Sequence, residues 1–393
     1  MLRATLSGKA EVLFRNVLLL GIVSLLQDVS SEMIQAVLPL FLVSIGAGGI
    51  IVGLIGGLGD MLNSLGNLVS GIYSDLLGRK KPLTFLGYAA SAVAKALLVV
   101  ASAWQHVMVY RILDRAGKGI RTAPRDALLS ASVSSKRTGW GFGLHRTMDT
   151  AGAVLGATLA LLVVWFFKMP YNHVFLIAAS FAFVALTPFL GITERPAQVK
   201  VERASLQLRA LPFGLKAFIA IATLFTLSNF SYMFFILRVA EVYGSEFLPL
   251  ILYMTFNISY ALFAFPFGIV SDKLGRAPVL FLGYLMFGLT CLGFSIAEGV
   301  LWFFILFIMY GLSYALFDGN QRAMISDLSS SDVRGTAFGV FHAFASIAAL
   351  LSSLIAGWLW EVFGMYATFL YGTVLSMTSA ALLLALRTKL KHG

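Results

Sequence analysis

Apolar runs of about twenty residues recur along the chain, separated mostly by short polar turns. Their centres fall near Gly21, Leu58, Ala92, Gly117, Gly152, Ser180, Leu227, Ala261, Phe287, Leu312, Ala348 and Leu375. A helix rising 1.5 Å per residue crosses a bilayer core of ~30 Å in such a run. Membrane strands would instead read as alternating segments of about ten residues that close a barrel. The pattern therefore predicts an all-α polytopic membrane protein with twelve transmembrane helices.

One run breaks the apolar rule. Between Arg111 and Asp126 the chain reads R-I-L-D-R-A-G-K-G-I-R-T-A-P-R-D, seven charges set between apolar flanks. On a helix turning 100° per residue, Arg111, Asp114, Arg115, Lys118, Arg121 and Arg125 fall within one arc of about 120°. Lipid cannot take that stripe, since each Arg or Lys would cost ~2.5–3.5 kcal/mol at the bilayer centre. It has to face water, a counter-charge or a substrate. Arg111 and Arg115 are expected to line a cavity, with Asp114 and Lys118 on the same face, and Arg125, beside Pro124 and Asp126, to be structural.

Composition agrees with the pattern: 59% of residues are hydrophobic, 12% are charged, and mean hydropathy is +0.87. The single Cys291 lies inside an apolar run, so no disulfide framework is expected and its reading is that of a small core residue. Of the 29 Lys and Arg residues, 19 fall in the termini and in the turns on one face, against Lys168 alone on the other. The positive-inside rule then places both termini in the cytoplasm, in the cell's inner (cytoplasmic) membrane. The net charge of +11 thus reads as a topology signal rather than a nucleic-acid footprint. Arg3, Lys9 and Arg15 precede an apolar run too long for a signal peptide, so the first helix is expected to be retained.

The chain repeats itself. G-I-Y-S-D-L-L-G-R-K-K, Gly71 to Lys81, returns as G-I-V-S-D-K-L-G-R, Gly268 to Arg276, 197 residues on. Arg125 and Arg322, Arg137 and Arg334, and His145 and His342 keep the same offset. A duplicated six-helix unit follows, with bundles over residues 1–192 and 213–393 and a polar cytoplasmic linker over 193–212.

Candidate chemistry lies on a few helices. Asp28 and Glu32 are one turn apart in the first, and two carboxylates so placed repel unless a proton or a cation intervenes. A proton site is one reading; pairing with the basic stripe is the other. His145, Arg146 and Asp149 share the fifth helix, with His145 and Asp149 at i and i+4, where a histidine beside an acid relays protons or simply hydrogen-bonds. Asp60, Asn63 and Asn67 dot the second helix among glycines that suit close helix packing. In the second half the interior polar residues are Asn229, Arg238, Glu241, Asn257, Asp318, Asn320, Gln321, Arg322 and His342. Aromatic residues crowd its first two helices: most are expected to pack neighbours or face lipid, and a few, with Asn229 and Asn257, to wall a site.

The G-x-x-x-D-x-x-G-R-K turn after the second helix, its weaker copy, the twelve helices and the half-chain repeat together resemble the major facilitator superfamily. That resemblance implies two six-helix bundles around a central cavity, and alternating access to a small-molecule substrate. It assigns Asp75, Arg79 and Lys80 to a cytoplasmic gating network, and the copy extends the assignment to Asp272 and Arg276. Gly143, Gly152 and Gly156 match the G-x8-G-x3-G part of the signature of the superfamily's antiporters. Ala157 stands where that pattern has Pro, and Ala160 where it has Gly; the same spacing also serves helix packing alone.

No nucleotide loop, metal-ligand cluster or nucleophile set points to an enzyme, and no cofactor is expected. A charged site in a two-fold repeat suits a transporter better than a channel. The first functional reading is proton-coupled export of a small organic molecule. Its proton-coupling residues are Asp28, Glu32, Asp149 and His145; its substrate-binding residues are Arg111, Asp114, Arg115, Lys118, Asn229, Asn257, Asp318 and Gln321. Its partners are the substrate, protons or another coupling ion and the lipid bilayer, with the protein acting as a monomer. The second reading is symport or exchange of an anionic solute through the Arg/Lys stripe, since guanidinium groups suit carboxylate and phosphate. Against it, interior acids number eight to nine bases.

Overall fold

The computed structural model describes residues 8–77, 79–133, 138–194, 211–330 and 333–392. Those residues are nearly all helical and include no strand. The first six spans are α1 (Gly8–Ser44), α2 (Gly49–Leu77), α3 (Lys81–Val99), α4 (Trp104–Ala131), α5 (Thr138–Leu161) and α6 (Tyr171–Val184). In the second half, α7 (Phe213–Ser228) and α8 (Met233–Tyr243) together make one span. They are followed by α9 (Phe247–Leu274), α10 (Arg276–Ile296), α11 (Val300–Leu328), α12 (Arg334–Phe363) and α13 (Met365–His392). Eleven helical stretches are long and apolar enough to cross a membrane, and the twelfth, α4, misses that standard because of its charges. Large side chains such as Leu262, Leu301 and Trp302 remain 65%, 72% and 62% exposed, as lipid-facing positions require.

The chain divides into two compact units, residues Met1–Val37 with Leu62–Glu202 and Leu38–Met61 with Arg203–Gly393. The end of α1 and the start of α2 therefore group with the second half, which a division at the linker does not anticipate. The cause is local: a Cβ placed on Gly53 would lie 2.0 Å from the Ser353 carbonyl oxygen of α12, and one on Gly357 would lie 2.2 Å from that of Gly49. Glycine alone lets these backbones approach so closely. At the same end the Glu361 carboxylate accepts the Ile50 N–H at 2.9 Å, serving one of the orphan donors that open α2.

In the first unit α3 packs on α4 and α6. Gly87 and Gly117 face each other there, each Cβ position within 2.6 Å of the other's carbonyl oxygen. Val17, Leu20, Val23, Tyr88, Leu128, Leu129, Phe189 and Ile192 form a buried apolar cluster. The second unit is held by aromatic rings instead: Phe225 stacks on Tyr284 at 3.8 Å, and Phe235 on Tyr310 at 4.2 Å. Phe230, Phe234, Phe235, Tyr253 and Phe256 are buried in this core, whereas Phe263 and Phe265 are exposed.

The span made of α7 and α8 is interrupted at residues 229–232. Breaking a helix in lipid frees backbone groups that need other partners. Ser352 Oγ at 2.7 Å and the Tyr371 hydroxyl at 2.6 Å both donate to the Leu227 carbonyl, and the Ser231 N–H donates to Ser353 Oγ at 3.1 Å.

Candidate functional site

The polar interior of the first unit is built on the charged face of α4. Asp114 accepts a short hydrogen bond from Ser91 of α3, whose own hydroxyl accepts Gln27 Nε2 of α1 at 3.0 Å. Arg115 Nε lies 3.7 Å from the Asp114 carboxylate, and both side chains are buried. Arg115 also donates to Gln35 Oε1 at 3.0 Å, and Gln35 in turn donates to Glu32 Oε1 at 2.6 Å. The basic face of α4 thus reaches an acid of α1 through an amide relay.

Lys95 of α3, fully buried, donates to the hydroxyls of Ser30 and Ser31 at 2.9 Å each. Arg121 lies 4.5 Å over the ring of Tyr88, a cation–π contact, and Arg125 pairs with Asp126 at 2.9 Å. Arg111 differs from all of these. It is only 1% exposed, its Nε and Nη1 have no hydrogen-bond partner, and among the described residues no acid pairs with it. Lys118 is half-buried and lies within electrostatic range of Asp28 and Glu32.

On α1, Asp28 has no hydrogen bond and no ion pair among the described residues, while the charges of Glu32, Asp149 and Lys118 act on it. Asp149 of α5 accepts a short hydrogen bond from Ser24 and lies 3.7 Å from His145 Nδ1 and 4.0 Å from Arg146. The imidazole is buried, with no partner for Nε2 among the described residues. What brings α5 onto α1 at this level is glycine: a Cβ on Gly152 would lie 2.5 Å from Leu25 O, and one on Gly156 2.4 Å from Val29 O. Next in contact at these two positions are the Cβ atoms of Asp28 and Glu32, at 3.1 and 3.0 Å. Gly143, the first glycine of the pattern, meets nothing within 4 Å.

The second unit's residues lie along α9, α11 and the interruption between α7 and α8. Asn229, at the break, accepts the Tyr314 hydroxyl at 3.0 Å. Asp318 accepts the Tyr260 hydroxyl at 3.1 Å and pairs with Arg322 at 2.9 Å. Asn257 Nδ2 is buried without a partner among the described residues. Gln321 instead points into the aromatic core, donating to the Tyr284 hydroxyl at 2.9 Å.

At the repeated turn, Arg276 pairs with Asp272 at 2.5 Å and with Asp327 at 3.2 Å. In the first unit the side chain of Asp75 lies outside the described residues, and Arg79 is exposed. The backbone N–H groups of Lys80 and Lys81 donate to the Glu194 carboxylate at 2.5 and 3.0 Å, so an acid beyond α6 caps α3. Sequence reasoning missed Glu194 and the hydrogen bonds of Lys95 to Ser30 and Ser31. For Lys95 the available signal was the pair Ser30 and Ser31 in the apolar run of α1, hydroxyls to which a buried ammonium can donate.

The superfamily model of the Major Facilitator Superfamily matches residues 20–255 and 218–393. The chain belongs to this superfamily. It is 44% identical over 379 residues to an uncharacterized MFS-type transporter of Methanocaldococcus jannaschii, covering 95% of both chains. A multi-drug resistance efflux pump of Streptococcus pneumoniae is 30% identical over 113 residues, 29% of this chain and 28% of that one. Among solved structures the fold is shared with a nucleoside transporter, at a TM-score of 0.80, 15% identity and 95% and 99% coverage of this chain and that one. It is shared too with a POT family transporter in complex with 5-aminolevulinic acid, at a TM-score of 0.78, 13% identity and 95% and 96% coverage. Membership of the superfamily makes the chain a membrane transporter, and the all-α, twelve-span architecture read from the sequence stands.

Proposed function

We propose that the protein is a secondary active transporter that works by alternating access and exports a small organic molecule in exchange for protons. The observation that carries this reading is the placement of Asp28. It is a carboxylate without a hydrogen bond or ion pair among the described residues, within electrostatic range of two further carboxylates, Glu32 and Asp149. A carboxylate in an apolar span is costly unless a proton or a cation neutralises it, and a nearby lysine, Lys118, offers one such counter-charge. Proton loss and substrate arrival can then compete at one locus. Asp149, hydrogen-bonded to Ser24 and beside His145, is the exit for that proton toward α5.

The match to an efflux pump over part of the chain supports the direction of export. In this reading both termini are cytoplasmic, the protein lies in the inner membrane and it acts as a monomer. Asp75, Arg79, Lys80, Asp272 and Arg276 set the conformational equilibrium at the repeated turns.

Arg111 favours a second reading, transport of an anionic solute. A buried guanidinium with two unpartnered nitrogens and no paired acid among the described residues suits a carboxylate or phosphate that arrives with the substrate. Purified protein in liposomes with an imposed pH gradient, screened against cationic, neutral and anionic solutes, separates the two. The first reading expects uphill movement of a solute against a proton flux in the other direction, abolished by Asp28→Asn. The second expects anion movement that Arg111→Gln weakens and Asp28→Asn leaves intact.

A further inference from the structure

Asp60 has no place in the proton pathway proposed above. It sits in the α2 segment that belongs to the second unit, exposed, and among the described residues no base lies within ion-pair distance of it. Its position follows from the glycines before it. Gly53, Gly56, Gly57 and Asp60 share one face of α2 at i, i+3, i+4 and i+7. Gly56 packs that face against Ser231 in the α7/α8 interruption, with a Cβ position 2.5 Å from Ser231 Oγ. One turn further on, the charge of Asp60 acts on the hydroxyl of Tyr314.

Around that hydroxyl the walls are aromatic. Tyr260 and Tyr314 have ring centroids 6.3 Å apart and planes at 84°, forming a corner, and Phe256 meets Tyr314 edge-on at 5.5 Å. Both tyrosine hydroxyls donate outward, Tyr260 to Asp318 and Tyr314 to Asn229. Donation to an acceptor makes a phenol ring more electron-rich, and the ring face is where a cation binds. The local charge is two acids, Asp60 and Asp318, against one base, Arg322, which Asp318 already holds. Unlike Asp318, Asp60 has no ion-pair partner among the described residues.

We infer that Asp60, Tyr260, Tyr314 and Phe256 form a subsite for an organic cation, the ammonium or phosphonium group of the exported molecule, with Asp60 as its counter-charge. The inference deepens the export reading by naming the class of substrate and rests on it only for the direction of movement. An aromatic corner with a free carboxylate fits a large, weakly hydrated cation. A small metal ion would need several oxygen ligands in a shell, and among the described residues no group of three or more metal-binding side chains occurs.

The test uses the purified full chain and two probes of nearly equal size and opposite charge, tetraphenylphosphonium and tetraphenylborate, measured by equilibrium dialysis. Wild-type protein is expected to bind the phosphonium and to favour it over the borate. Asp60→Asn is expected to weaken phosphonium binding by about tenfold or more, Asp60→Glu to retain most of it, and Tyr314→Leu to weaken it severalfold. Melting temperatures of the same variants identify any that fail to fold, and Asp60→Glu keeps the charge if Asp60→Asn is lost. No phosphonium binding by wild type, preference for the borate, or equal binding by wild type and folded Asp60→Asn would each overturn the inference. Proton flux in liposomes driven by a phosphonium gradient separates this outcome from the function reading: phosphonium binding that Asp60→Asn weakens, with no coupled proton flux in wild type, keeps the subsite and removes the proton-coupled export reading.

Discussion

Arg111 and Arg115, one turn apart on α4, belong to different situations. Arg115 lies beside the buried Asp114 and is bonded to Gln35, so Arg115→Gln leaves Asp114 short of a counter-charge and is expected to cost about 3 kcal/mol of stability. Among the described residues Arg111 has no acid to strand. A buried guanidinium with two nitrogens unpartnered among the described residues is a cost to the fold, so Arg111→Met is expected to leave the melting temperature unchanged or raise it. Thermal melts of the two variants side by side check the pair of expectations; a large destabilisation by Arg111→Met would mean that the residue is a structural counter-charge. The stripe itself was readable, because the period of a helix converts spacing into a shared face. Its partners were not, since periodicity within α4 says nothing of where Ser91, Lys95 and Gln27 on other helices will lie.

At the scale of helices, the glycines of α5 divide into two that touch α1 and one that touches nothing. Gly156→Val places a side chain against the Val29 carbonyl and is expected to destabilise by ~1–3 kcal/mol or more while disturbing Asp28 and Glu32. Gly143→Ala, with open space around it, is expected to be neutral or slightly stabilising, since alanine is the better helix former. Equal losses at both positions would remove the packing account of the pattern. The interruption between α7 and α8 gives a second expectation of the same kind. Ser352→Ala and Tyr371→Phe each remove one donor to the Leu227 carbonyl and are expected to cost about 0.6 kcal/mol singly. The double variant should cost more than their sum, because only then is the carbonyl left without a side-chain donor. This break was not legible: Asn229, Phe230, Ser231 and Tyr232 include no glycine or proline, and the run from Phe213 to Tyr243 reads as one continuous apolar span. It is tertiary hydrogen bonding from α12 and α13 that makes the interruption tolerable.

For the whole molecule, the twelve spans were the most legible feature, since they rest on a pattern tens of residues long. The grouping of residues 38–61 with the second half was not legible, because it depends on which glycines meet which backbone. In the repeated turns, Arg276 is held by Asp272 and Asp327, and the first copy adds Glu194 across the start of α3. Arg276→Gln is expected to change turnover and the accessibility of engineered cysteines without loss of folded protein; unchanged rate and accessibility would reduce the turn to a loop that fixes topology.

Exchange of substrate for protons is the central claim, and it is tested most directly by proton flux in liposomes carrying purified protein and a pH-sensitive dye. An outward substrate gradient is expected to drive protons inward, and an imposed pH gradient to drive substrate uphill. Asp28→Asn should abolish both movements while substrate still equilibrates across the membrane. Substrate movement that carries protons in the same direction, or uphill movement that survives in Asp28→Asn with the wild-type proton stoichiometry, would contradict the account.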